Sequence, residues 1–185
     1  MTETGYSTSQ SELVNDFLTK NLILKEEEYR LINGFIDPNK LMKLKLLYST
    51  AVSDYSAHSF HYFCNGKGPT LTVVKATNGK RFGGYASVSW LSLNRYVNDD
   101  NAFLFSLDSK KCFKKKDKPS SLYDHYNYGP TFGEGHDLYI SNECKVKKDN
   151  YCSCPNTYNG VNANDLAGEK NFIVENYEVY SVKLI

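Results

Sequence analysis

Cys144, Cys152 and Cys154, with His125 and His136 upstream, are of the residue types that bind zinc. A structural zinc site draws on ligand pairs about two to four residues apart, twice over. Here the second pair is missing, and on an extended segment Cys152-x-Cys154 sends its two thiols to opposite sides. That spacing reads as free thiols in a loop, with no metal site. His61 and Cys64 fall on one face of a helix, close enough for a Cys–His pair, yet a helix packed on a sheet produces the same spacing. No G-x-S-x-G elbow surrounds any serine, and no nucleophilic cysteine signature is present. A thiol such as Cys64, Cys144 or Cys152 remains a candidate for reducing peroxide, provided that it has thiolate character and a neighbour to resolve it.

Two further stretches carry unusual chemistry. Gly129–Pro130–Thr131–Phe132–Gly133–Glu134–Gly135–His136–Asp137 is the densest glycine segment, but it opens a strand and lacks the Lys-Ser/Thr ending of a phosphate-binding loop. Tight turning by Gly133 and Gly135 is the expectation, and close backbone approach within a strand is the expectation for Gly83 and Gly84. Lys110, Lys111, Lys114, Lys115, Lys116 and Lys118 form a basic run that either meets an acidic partner or guards an edge strand.

The elements that must position these residues are mostly strands. Leu13, Val14, Phe17 and Leu18 share one face of a short amphipathic helix, and Leu24–Phe35 forms a second helix ended before Pro38. From Leu44 the apolar period becomes two. Ser56 caps a brief helix through Cys64 that stops at Asn65–Gly66. Thr70–Trp90 reads as a hairpin about a two-residue type I′ Asn78–Gly79 turn. Ala102–Leu107, Asp137–Ile140 and Phe172–Leu184 are further strands, the last with a bulge at Glu175–Asn176. Lys116–Tyr128 and Lys145–Gly168 read as loops, the second long enough to be functional or mobile. Short strands without crossover helices predict a mainly β (α+β) fold, a two-sheet antiparallel β-sandwich with flanking short helices.

Composition narrows the function classes. A chain of 185 residues has the usual length of one domain, and fifteen Tyr and ten Phe supply large rings for a core. Net charge +1 and few arginines argue against a nucleic-acid partner. No apolar run is long enough for a transmembrane segment, and the polar Met1–Gln10 stretch lacks the features of a secretory signal. An odd number of cysteines, five, fits reduced thiols in a cytoplasmic protein.

Read in order, several segments resemble the TLDc family: Leu47–Tyr48; Phe60–His61–x–x–Cys64–Asn65–Gly66–Lys67–Gly68–Pro69–Thr70–Leu71; Phe82–Gly83–Gly84–Tyr85 with Trp90; Asn101–Leu107; Gly129–Ile140; and Glu175–Tyr180. One departure is Asp54–Tyr55, where members often carry Asp–Gly. The resemblance divides the chain into a polar segment, residues 1–22, and a TLDc domain, residues 23–185. It implies a two-sheet sandwich and a non-catalytic protein-interaction role, with no cofactor and no catalytic residues. Proteins of this kind protect cells from oxidative damage, and several engage the vacuolar proton-pumping ATPase (V-ATPase). Its peripheral subunits are thus the expected partner, and peripheral membrane association would come through the pump. The expected contact residues are Glu134, His136 and Asp137 on an exposed loop, with Lys114, Lys115 and Lys116; Gly83, Gly84, Gly133 and Gly135 shape the backbone.

Overall fold

The computed structural model describes residues 22–185. The helix expected around Leu13–Leu18 lies outside the described residues. The elements are α1 (Glu26–Ile36), β1 (Met42–Ser49), α2 (Ala57–Cys64), β2 (Thr70–Ala76), β3 (Arg81–Ala86), β4 (Arg95–Val97), β5 (Phe103–Ser106), β6 (Lys111–Lys114), β7 (Leu122–Asp124), β8 (Thr131–Phe132), β9 (Leu138–Tyr139), β10 (Asn150–Tyr151), β11 (Asn171–Phe172) and β12 (Val174–Leu184). They form two antiparallel sheets, ordered β1-β12-β2-β3-β5-β6 and β11-β10-β9-β8-β7-β4. This is the sandwich that the strand pattern predicts.

The first sheet has two buried faces. Its inner face meets the second sheet through Val74, Phe82, Leu104 and Val179, against Phe132, Leu138 and Phe172. Its outer face, with Leu71, Val73, Phe103 and Val182, is covered by Ile32 of α1 and the chain at Ile23–Leu24. An acidic first turn, Glu26–Glu28, suits the positive end of the α1 dipole. Glu28 caps the helix by accepting from the Lys25 N–H at 3.0 Å, and it binds Arg81 bidentately at 2.6 and 2.9 Å, fixing α1 to β3.

At one end of the sandwich, α2 starts where Ser56 Oγ accepts from Ser59 N at 3.1 Å. Asp54 reinforces this start by accepting from Ser56 N and from the Ser59 hydroxyl, at 2.9 and 2.8 Å. The helix ends where expected, and Gly66 takes φ +69°. In β12 the register slips between Val174 and Asn176, at the expected bulge.

Three expectations are corrected. The β2–β3 connection is not a two-residue type I′ turn: Gly79 N donates to Ala76 O and Ala76 N to Lys80 O, both at 2.9 Å, and Gly79 alone takes positive φ, +87°. The Asn78 side chain is engaged at both ends, its amide donating to Ala167 O at 2.8 Å and its Oδ1 accepting from Lys80 N at 3.1 Å. Residues 116–128 are not all loop, since they contain β7, whose three residues are too few to register as a period. Residues 145–168 are not all loop either. They contain β10 and bury Tyr158, Val161, Leu166 and Ala167, residues whose irregular spacing follows no helix or strand repeat.

Candidate functional site

The outer face of the second sheet is paved with tyrosine. Leu122, Phe132 and Leu138 point into the sandwich, so their alternate neighbours Tyr123, Thr131 and Tyr139 point outward. The strand register lines these up: Tyr96 pairs with Tyr123, Thr131 with Tyr139, and Tyr139 with Tyr151. Tyr123 lies opposite Thr131 because Leu122 pairs with Phe132. Above the small Thr131 the gap is filled from two turns. The Tyr128 ring sits 5.3 Å from Tyr123 and 4.9 Å from Tyr139, and the His136 ring sits 5.1 and 5.6 Å from the same two. Thr131 is fully buried as a result. His125 and Tyr126 stack at 4.8 Å and extend the surface past Tyr123, with Tyr126 exposed over about half of its surface, 53%.

His136 is the polar centre of this face. It sits in the β8–β9 turn at φ +62°, directly after Gly135 at +73° and three residues after Gly133 at +87°, left-handed conformations that glycine adopts without strain at the two earlier positions. A side chain at Gly133 would run into the Asp137 carboxylate. His136 Nδ1 lies 2.6 Å from the Tyr151 hydroxyl, and burial pushes the imidazole pKa below its ordinary 6.5. The rings around it, Tyr96, Tyr123, Tyr128, Tyr139 and Tyr151, carry no charge to oppose that shift. Since the unfolded chain then holds the proton more tightly, stability due to the neutral ring is complete above about pH 6.5 and is lost as pH falls toward the folded value. Urea midpoints at pH 7.5 and 5.5 should therefore fall on acidification, and His136→Gln should flatten that fall; an identical pH response in the variant would refute the assignment.

Asp137, expected on the surface, is buried instead. Its carboxylate accepts from Asn156 N and Thr157 N, each at 2.6 Å, with a further backbone bond to Tyr158. It therefore acts as the anchor on which the 152–158 segment is hung. Burial pushes its carboxyl pKa up, against the pull of those N–H groups and of Lys116. Lys116 meets the same segment from the other side, Nζ reaching Pro155 O and Asn156 O at 3.4 and 3.3 Å. Glu134 stands exposed at the tip of the turn. The fold thus gathers Glu134, His136 and Lys116 around one segment. It sends Lys115 elsewhere, to Asp100 at 2.7 Å, and Lys114 to Phe35 O at 2.8 Å, over the Phe103 ring. The tyrosines were not singled out from sequence; the signal for them was fifteen Tyr in a chain this short, several in outward phase on strands of two or three residues.

The nucleophile candidates are spent on structure. His61 is buried, with Nε2 3.0 Å from the carbonyls of both His125 and Tyr128 and Nδ1 2.9 Å from Asn65 Oδ1, so it clamps α2 to the 125–128 turn. Burial pushes the Cys64 and Cys144 thiols up to about 12, and raises Cys112 as well. The Cys152 and Cys154 thiols do not diverge as expected. The chain leaves strand geometry after Tyr151, and they hydrogen-bond to one another, which with burial raises Cys154 strongly. Cys154 Sγ also donates to Asp137 O at 3.0 Å. Among the described residues no group of three or more His, Cys, Asp or Glu is placed to hold a metal ion, and no helix is long and apolar enough to cross a membrane.

The order of the motifs on this sandwich matches a known domain: a model of the TLDc domain family aligns with residues 17–183. The chain belongs to the TLDc domain family. It is similar to proteins named MTOR-associated protein MEAK7. The Gallus gallus protein is 27% identical over 164 residues, 82% of this chain and 34% of that protein. The Danio rerio protein is 32% identical over 84 residues, 45% and 18% of the two chains, and the Mus musculus protein 26% over 98 residues, 53% and 22%. The chain therefore spans about a third or less of these relatives' length. In this TLDc domain the Gly129–Ile140 motif builds the β8–β9 turn and its buried aspartate, and the Phe82–Tyr85 motif supplies Gly84, against which Phe132 of the opposite sheet packs. Its second sheet exposes apolar rings with hydroxyl groups at their tips.

Proposed function

We propose that this TLDc domain is a non-catalytic interaction module that docks through the tyrosine–histidine face, with Glu134 at its edge, onto the peripheral, cytosolic part of the V-ATPase. The observation that carries this reading is the row of half-buried tyrosines on the open face of the second sheet. Folding alone asks only for polar side chains there, whereas rigid aromatic residues are the groups that concentrate binding energy at interfaces. Membership of the TLDc family supports the pump as partner, and the printed name of the relatives, MTOR-associated, supports work within regulatory protein assemblies. Raised thiol pKa values weigh against a peroxide-reducing enzyme, because thiolate is scarce at neutral pH. In this reading the protein acts in the cytoplasm, reaches membranes only through the pump, and supports oxidative-stress resistance through pump regulation.

The test is capture of pump subunits from extracts by the tagged chain, together with ATP hydrolysis by purified pump with and without it. Tyr123→Ala combined with Tyr139→Ala is expected to weaken capture about 30-fold or more, the size of an interface hot spot. Lys114→Glu, which faces α1, is expected to leave capture unchanged. No capture and no change in hydrolysis would reject the pump; capture indifferent to the tyrosine variants would reject the face.

A further inference from the structure

The outward positions on the strands of the second sheet, taken from its β4 edge, are Tyr96, Tyr123, Thr131, Tyr139, Tyr151 and Asn171, and none carries a charge. Arg95, the basic residue on these strands, shares the phase of Val97, which packs against the inner core, so it points away from the tyrosine side. His136 adds no positive charge at neutral pH, because burial holds its pKa below 6.5. The ionised groups beside the rings are carboxylates. Glu134 stands exposed at the tip of the β8–β9 turn, and Asp149 stands exposed just before β10. Burial, then the neighbouring Tyr128, Tyr151 and Asp149, push the Tyr139 hydroxyl up to about 12, which places the Asp149 charge beside the face. Among the described residues no lysine or arginine pairs with Glu134 or Asp149. Lys147 and Lys148, the cations that precede Asp149, are held by Glu143 at 3.5 Å and Glu169 at 2.6 Å, and Lys116 is turned to the carbonyls of Pro155 and Asn156.

We propose that this face takes an arginine-bearing segment of its protein partner, guanidinium groups lying on the tyrosine rings and drawn there by Glu134 and Asp149. The inference rests on the reading of the face as the docking surface and names the chemistry that fits it. The face of an aromatic ring is the negative side of its quadrupole, so a cation within about 6 Å of the ring centroid is attracted. Here the rings form an unbroken row: Tyr96 to Tyr123 at 4.8 Å, Tyr123 to Tyr128 at 5.3 Å, and Tyr128 to Tyr139 and Tyr139 to Tyr151 at 4.9 Å each. Such a row offers more than one guanidinium a place. The molecule makes the same kind of contact on its other sheet, where Lys114 Nζ lies 4.6 Å over the Phe103 ring. A guanidinium suits the tyrosine row better than an ammonium does. It is planar and weakly hydrated, so it stacks on a ring while its edge donates to a tyrosine hydroxyl or a carboxylate. An anionic segment would be repelled by the two carboxylates, and a purely apolar one would gain nothing from them.

Titration of the full, nitrogen-15-labelled chain, followed by amide chemical shifts, tests this. The probes are a short Gly/Ser peptide carrying several arginines, the same peptide with citrulline in their place, and a polyproline peptide of equal length. The arginine peptide is expected to move the amides of Tyr123, Tyr139 and Tyr151 saturably, and to bind at least about tenfold more tightly than the citrulline peptide. Glu134→Lys combined with Asp149→Lys, both at exposed positions, is expected to weaken it about tenfold or more. Tyr139→Leu, which keeps the apolar bulk and removes the ring, is expected to weaken it several-fold. No saturable shift, equal binding of the citrulline peptide, tighter binding of polyproline, or shifts confined to the acidic Glu26–Glu28 turn would each overturn the proposal. So would binding indifferent to both the charge and the ring variants. Capture of pump subunits in the presence of the arginine peptide separates this inference from the reading beneath it. Capture that needs the tyrosines but ignores the peptide overturns the arginine assignment and leaves the docking face standing. Peptide binding at the face without capture of the pump rejects the pump and supports the arginine assignment.

Discussion

Asp137→Ala is expected to remove about 3–5 kcal/mol of stability, the loss seen when one side of a buried charged interaction is deleted. The carboxylate is wholly buried and accepts from Asn156 N and Thr157 N, with Tyr158 adding a third backbone bond. Alanine leaves those N–H groups without an acceptor where Thr157 and Tyr158 are buried and Asn156 is partly so, and each orphaned buried group costs about 1–3 kcal/mol. The segment they hold also carries Tyr158, fully buried, whose hydroxyl donates to Ser121 O at 2.7 Å. The disturbance therefore passes into the core. Against a total of about 5–15 kcal/mol for a domain, such a loss brings unfolding close to ambient temperature. Asp137→Asn should fall between, since its one carbonyl oxygen can keep part of the network. Urea titration measures all three: the midpoint should drop in the order wild type, Asn, Ala, with unchanged slope. A loss below about 1 kcal/mol for Asp137→Ala would show that the segment is held by something else.

The second large effect is expected at Gly84, in the middle of the first sheet. A Cβ there would sit 2.5 Å from the Phe132 ring of the opposite sheet. Phe132 has nowhere to retreat: it is fully buried, with Trp90 edge-on at 5.8 Å. Gly84→Ala should cost about 1–3 kcal/mol as overpacking, and Gly84→Val more, since both sheets must part. Gly83, its neighbour on the other face, is blocked by the Thr72 carbonyl and the Phe105 ring. The discriminating experiment is a double-mutant cycle. If the clash is with Phe132, Phe132→Leu should recover part of the Gly84→Ala loss, an interaction of about 0.5–3 kcal/mol. Strict additivity would mean that alanine acts on the strand backbone and not on the facing ring.

These two positions mark where sequence reasoning carried and where it stopped. Gly83–Gly84 within a strand announces close backbone approach, because glycine weakens a strand unless something needs the space. What approaches is Phe132, about fifty residues along the chain, and no local pattern names it. Gly133 and Gly135 likewise announce a tight turn, but not that Asp137 folds inward beneath it. A carboxylate in a polar, glycine-rich stretch reads as solvated until the backbone donors of residues 156–158 are seen to converge on it.

Residue order by itself determined the mainly β class, the α1 and α2 helices with the Ser56 cap of α2, the β2–β3 pairing, the bulge in β12 and, through ordered motifs, the TLDc family. Each of these rests on local periodicity, turn chemistry or recurring motifs, which act over a few residues and leave a trace in the sequence. Only the tertiary structure decided that β7 and β10 exist, that Lys115 and Lys116 serve the fold, that Cys152 and Cys154 meet, and that tyrosines from separate strands form one face with His136 at its centre. Strands of two or three residues have no measurable period, and their neighbours come from distant parts of the chain. Burial and ring-to-ring contact across such strands arise only once the sheets have closed.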